Sequence, residues 1–402
     1  MNSAKTIKRY WLLLFFIIII ASGCEYDGPQ EIWNPEVPDY SAPIINRIEP
    51  ENSIAALEIK IIGENFSPIM ENNTVYVSAN KAQIKSASPT EISIYRPNLA
   101  GDSLTFKVVV KGAYTIAEYS PYKLELMTST VDAFNQDDAI ALLAIDANNN
   151  IYGASNRVVF KVTPEGEETE YGGYSGRVAY MRSGPGGYLY IQKLNNNALS
   201  RIAPGGGNLV LFYTLPQRVS FFDFDSYGNI FLGGKNSGLV LLKSDSTAAA
   251  LGIYDEYDIK ALRVFDGYVY VTAGYTGSEA SIPATAIWKN QILNPNGDLG
   301  DKELVYDWAN SGDFAGAEIF DITFSLDGDM YIGTDHVDPV LIVHPDGRSE
   351  PLYKNILLSP VTSLVWDNSH YLYIKRDAVY QAIQVIRVEM NKPGAPYYGR
   401  GE

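Results

Sequence analysis

The chain has 402 residues, with 29 tyrosines, 34 glycines, and 31 Lys and Arg against 47 Asp and Glu. So acidic a balance argues against nucleic acid and anionic lipid headgroups as partners of the chain as a whole. Its single cysteine excludes an internal disulfide, and no long stretch carries the apolar period of an amphipathic helix.

At the N-terminus, Lys5, Lys8 and Arg9 precede the apolar run Trp11 to Ile20. That run is too short to cross a bilayer, which takes about 20 residues. It leads into Ala21-Ser22-Gly23-Cys24, small residues ending at the only cysteine. The segment resembles a lipobox, the cleavage and acylation motif of bacterial lipoproteins, although leucine is usual where Ala21 stands. The resemblance implies a signal peptide over residues 1–23 and lipidation of Cys24. Residues 24–41, with Glu25, Asp27, Glu31, Pro35 and Pro38, read as a solvated tether. Acidic residues just after the cysteine resemble the signal that sends Bacteroidota lipoproteins to the outer membrane's exterior face. The expected location is therefore the outer membrane, lipid-anchored and facing outward. Without residues 1–23 the chain keeps 28 Lys and Arg against 47 Asp and Glu, a net charge of −19.

From residue 42 to about 126, short alternating runs dominate. Leu57, Ile59 and Ile61 alternate with Glu58 and Lys60, Val75 and Val77 flank Tyr76, and Phe106 leads into Val108-Val109-Val110. Period-two patterns broken by Pro, Gly and Asn predict an antiparallel sandwich. The landmarks Ile48-Glu49-Pro50, Gly63-Glu64-Asn65-Phe66 and Ser88-Pro89-Thr90 resemble those of an IPT/TIG domain, an immunoglobulin-like module. The resemblance implies a spacer or binding module without catalytic residues.

Residues 127–395 repeat. An apolar strand, a polar turn and a second strand with an aromatic recur six times, with the aromatics at 152, 190, 231, 270, 331 and 373. A period near 40, with Gly, Asn and Asp in the turns, is that of a four-stranded propeller blade. Val158–Val162, Val240–Leu242 and Val340–Val343 read as third strands. The repeats resemble those of NHL-type propellers, without that family's Ala-Asp-x-x-Asn element. Little chain follows Tyr373, so a strand from residues 122–129 is expected to complete the sixth blade; residues 396–402 read as a tail. The predicted fold is all-β: an N-terminal immunoglobulin-like β-sandwich plus a six-bladed β-propeller.

Motifs for chemistry are sparse. His336, His344 and His370 lack metal-ligand spacing and read as turn or surface residues. Asp146-Ala147-Asn148-Asn149-Asn150 begins like a calcium loop, but no following Gly and Glu complete it. The architecture resembles that of propeller lactonases, which hold a channel metal, and inner strands would point Asp223, Asp321 and Arg182 towards the axis. No cofactor and no catalytic or metal residue is assigned.

The expected ligand face is the one carrying the links between blades and the loops after the second strands, because rigid scaffolds present binding residues on loops. There stand Arg177, Arg218, Lys260 and Glu318. Blade 4, about 20 residues longer than the others, adds Tyr275 and Glu279, and its return strand leads to Trp308 and Phe314. Aromatic faces beside charged forks suit a sugar. The expectation is a non-catalytic surface lipoprotein that binds an extended polysaccharide or oligosaccharide as an accessory of glycan uptake. An outer-membrane transporter and other surface lipoproteins are the further partners. A protein-docking scaffold and a metal-dependent hydrolase or lyase are the alternatives.

Overall fold

A computed structural model of the chain describes residues 41–51, 56–134, 140–194, 196–377 and 384–398. The signal segment, Cys24 and all of the tether but its last residue lie outside the described residues.

The N-terminal unit is a sandwich of two four-stranded sheets. One contains Ile44–Glu49, Glu58–Glu64, Ile84–Ala87 and Glu91–Tyr95; the other contains Asn73–Val77, Asn80–Ala82, Gly101–Val110 and Ala117–Leu124. Alternation works as the pattern requires: Ile59, Ile61, Val75, Val77, Ile92, Ile94, Phe106 and Val108 all turn inward and are fully buried. Gly63 is demanded by close approach, because a Cβ there would stand 1.9 Å from the Ile44 carbonyl oxygen and 2.4 Å from the Phe66 ring. Leu57 departs from the sequence reading: it lies just before its strand and packs against the apolar cluster of blades 5 and 6. The sandwich is further tied to blade 5 by Lys85, whose Nζ lies 2.8 Å from both Glu58 and Glu350.

Six four-stranded antiparallel sheets follow. Their inner strands are Leu142–Ile145, Val178–Gly184, Phe221–Phe224, Tyr257–Phe265, Ile319–Phe324 and Val361–Trp366, and the first five sheets run outward from these in sequence order. The repeated aromatics mark the register. Tyr152, Tyr190, Phe231, Tyr270, Tyr331 and Tyr373 pair with Ala144, Arg182, Asp223, Arg263, Thr323 and Val365 of the inner strands. The turn aspartates have a local cause. Asp146, Asp225 and Asp367 each accept from the backbone N–H groups two and four residues on, at 2.8–3.0 Å. The calcium-like run at Asp146 is therefore a hairpin turn whose carboxylate is engaged, also by Tyr152.

Thr128–Thr130 closes the ring by pairing with Gln384–Glu389 of blade 6. Closure uses only the end of the expected segment, since Tyr122 and Leu124 are buried in the sandwich core. Of the expected tail only residues 396–398 are described, and they are not free. Ala395 N donates to Phe324 O at 3.0 Å, and Tyr397 is buried beneath the axis.

Candidate functional site

Alternation turns a charged quartet towards the propeller axis. Asp223 Oδ2 accepts from Val264 N at 2.9 Å, and Asp321 Oδ2 accepts from Leu364 N at 2.9 Å, so each carboxylate joins its blade to the next. Arg182 lies 3.8 Å from both carboxylates, and Arg263 Nε lies 3.4 Å from Asp223. Tyr180 donates to Asp321 at 3.2 Å and contacts Arg182. Below them the Arg263 guanidinium stacks on Tyr397 at 3.5 Å, while the Tyr397 hydroxyl accepts from Phe324 N at 2.8 Å. Burial pushes the Asp223 carboxyl up to about 6, against the opposing pull of Arg182.

The cavity left between Ala144, Arg182, Asp223, Arg263, Val365 and Tyr397 is about 20 Å³, room for about one water. The axis is closed. Its two carboxylates face two guanidiniums, a donor set that does not fit the metal of a lactonase-like channel. No group of three potential metal-binding side chains occurs among the described residues.

Because inner strands run from the links to the first turns, the propeller has two unlike faces. The first-to-second and third-to-fourth strand turns crowd one, where clefts of about 560, 540 and 410 Å³ open between blades 4 and 5, 1 and 2, and 6 and 1. Recurrence at three boundaries marks these clefts as a product of blade stacking. Near the first of them His344 is not a free surface residue. It lies 2.8 Å from Asp329 and 3.3 Å from Glu350.

The opposite, link face carries the predicted residues, with two corrections. Arg177 and Arg218 are exposed on successive links. Lys260 stands 3.8 Å from Glu318 and 4.0 Å from Asp258, joining blades 4 and 5. Tyr275 is half-buried against Tyr257, with its hydroxyl 3.4 Å from Glu256 and also accepting from the backbone N–H of exposed Glu279. Trp308 and Phe314, by contrast, offer no face to a ligand: they are 3% and 4% exposed. Two tight 3-10 turns, Trp308–Asn310 and Gly312–Phe314, fold both rings into the core. Trp308 donates to Ala317 O at 3.0 Å, and Phe314 stacks on His336 at 4.1 Å. His336 is correspondingly part of this packing.

Sequence reading missed Arg157, Lys193 and Lys235, at the second-to-third strand loops of blades 1 to 3, and Glu256 beside Tyr275. Their common signal was position: the same loop in consecutive repeats.

Residues 43–124 match the model of the IPT/TIG domain family. No curated protein matches the chain in sequence. Among solved structures, a structural genomics protein of unknown function from Bacteroides thetaiotaomicron is similar at 12% identity and a TM-score of 0.50, covering 89% of this chain and all of that one. An auxiliary nutrient binding protein from the same organism is similar at 12% identity and a TM-score of 0.49, covering 87% of this chain and all of that one. A luciferin-regenerating enzyme is similar at 9% identity and a TM-score of 0.51, covering 68% of this chain and 98% of that one. At these identities the likeness concerns the fold, and what the chain carries is an IPT/TIG sandwich followed by a six-bladed propeller.

Proposed function

We propose that this is a non-enzymatic, lipid-anchored protein of the outer-membrane exterior whose propeller binds an extended polysaccharide on its link face, as an accessory of glycan uptake. The supporting observation is the contrast between a filled axis and an open rim of loops. Two arginines, two aspartates and Tyr397 occupy the place where a channel enzyme needs a chamber, whereas Arg177, Arg218, Tyr275 and Glu279 stand where a chain could lie across several blades. Tyrosine offers a sugar a flat apolar face and a hydroxyl, and charged forks bond the surrounding hydroxyls. Cys24 supplies the anchor, and the sandwich holds the propeller clear of the membrane. A transporter or companion surface lipoproteins would receive the glycan.

Affinity electrophoresis of the purified protein in gels of different polysaccharides tests the reading. The expected result is retardation by at least one glycan and its weakening by roughly tenfold or more in Tyr275→Ala, with an unchanged melting temperature. Turnover of the glycan by the purified protein, or binding indifferent to Tyr275, would contradict it. For the anchor, Cys24→Ala is expected to move the protein from the membrane to the soluble fraction. Retention of that variant in the membrane, with no fatty-acid labelling of the wild type, would contradict lipidation.

A further inference from the structure

The charges of the link face are segregated. From the second-to-third loop of blade 1 to that of blade 3 its loops hold Arg157, Arg177, Lys193, Arg218 and Lys235, and none of these loops (residues 156–157, 174–177, 194–197, 215–220 and 234–238, with Lys193 at the edge of the third) contains Asp or Glu, whereas the link that enters blade 1 carries exposed Asp132. In blades 4 and 5 the corresponding rim exposes Asp255, Glu256, Glu279, Asp313, Glu318 and Asp335. The cationic loops are joined to one another. Tyr174 N donates to Arg157 O at 2.8 Å, Leu194 N to Arg177 O at 2.8 Å, Leu215 N to Asn197 O at 2.7 Å, and Gln217 Nε2 to Ser237 O at 2.5 Å. They form one hydrogen-bonded ribbon over three blades.

Arg157, Arg177, Arg218 and Lys235 are exposed, and among the described residues none of them has an ion-pair partner. Arg157 adds a second observation. It sits at φ +72° in a two-residue hairpin turn after Asn156, in the left-handed region that favours glycine. The Asp266-Gly267 turn, also of two residues but between the first and second strands of blade 4, has glycine at its second position, at φ +75°. An arginine held there against local preference points to a use for its side chain.

We propose that this half-ring binds a polyanionic polysaccharide, one bearing carboxylates or sulfates along its chain. The inference rests on the glycan reading above and names the class of glycan. Guanidinium forks match carboxylate and sulfate oxygens in pairs. The acidic half of the face, and the net negative body below it, repel the ligand's charged groups and so seat them on blades 1 to 3, with Tyr275 of blade 4 at the edge of that stretch.

The test compares retention of the full-length protein, extracted in detergent, on polygalacturonate against its methyl-esterified form and on dextran sulfate against dextran. Single-stranded DNA serves as a further polyanion. Retention is expected on at least one charged polymer and not on its uncharged twin, and should be lost in 0.5 M salt as screening shortens to a few ångströms. The double variant Arg177→Glu with Arg218→Glu is expected to bind about tenfold or more weakly at an unchanged melting temperature. Equal retention on charged and uncharged twins would leave the glycan reading standing and overturn the polyanion inference. Binding of the charged polymers that ignores the double variant, DNA binding as tight as glycan binding, or no retention on either charged glycan would each overturn it as well. Absence of binding to every glycan, charged or not, would remove the glycan reading itself.

Discussion

The axis and the link face of the propeller are built by the same strands and use charge in opposite ways. At the axis Asp223, Asp321, Arg182 and Arg263 are buried, each within 4 Å of an opposite charge, and the carboxylates accept backbone N–H groups from neighbouring blades. At the link face Arg177 and Arg218 project into solvent, and Glu318 meets Lys260 only at 3.8 Å. Charge in this propeller is thus bound into blade-to-blade contacts or left in solvent according to its place along the inner strand. Residues at the strand's middle serve closure, and those at its start are free to serve a ligand.

Substitutions sharpen that contrast, beginning with those that strike the closed parts. Asp223→Ala is expected to cost about 3–5 kcal/mol, since it leaves the buried Arg263 guanidinium without its carboxylate, Arg182 with Asp321 alone, and Val264 N without its acceptor. Trp308→Ala should cost about as much, roughly 3–5 kcal/mol, by emptying a core position; chemical denaturation reads both. A stable Trp308→Ala protein with lost ligand binding would return that ring to the ligand face. Tyr397→Phe removes the hydroxyl that Phe324 N donates to, for about 1–3 kcal/mol. Arg177→Glu should stay within about 0.5 kcal/mol of wild type, as a surface change away from packing does.

The pH dependence separates the regions too. The Asp223 carboxyl, pushed up to about 6 in the fold, binds its proton more tightly folded than unfolded. Its contribution to stability is therefore complete below about pH 4 and lost as pH rises through about 6. Melting temperatures of wild type and Asp223→Asn should differ in slope within that interval and run parallel below and above it. A wild-type profile without this component would place the carboxyl in a less desolvated site.

Much of this architecture could be read from the sequence because it is written in short-range periods. The six aromatics fall opposite one inner-strand position in every blade, and Gly63 and Phe66 carry the sandwich turn. What the repeat could not convey was the path of irregular chain. Trp308 and Phe314 sit in a link like other links, but two successive 3-10 turns rotate their rings inward, and no local pattern distinguishes that from an outward loop. The same holds for Tyr397, which looked like part of a tail until the pairing of Ala395 with Phe324 carried it under the axis. The cationic ribbon escaped notice for a different reason: its members come from successive loops, one basic residue each, and stand side by side only when blades 1 to 3 stack.

The central claim is that ligand meets this protein on the link face, and amide hydrogen exchange with and without a bound polysaccharide addresses it most directly. The account predicts slowed exchange in residues 174–177, 215–220 and 276–284, with the turns at 146–150, 225–229 and 325–329 unchanged. Protection confined to those turns, or to the clefts between blades beside them, would contradict it and move the site to the opposite face.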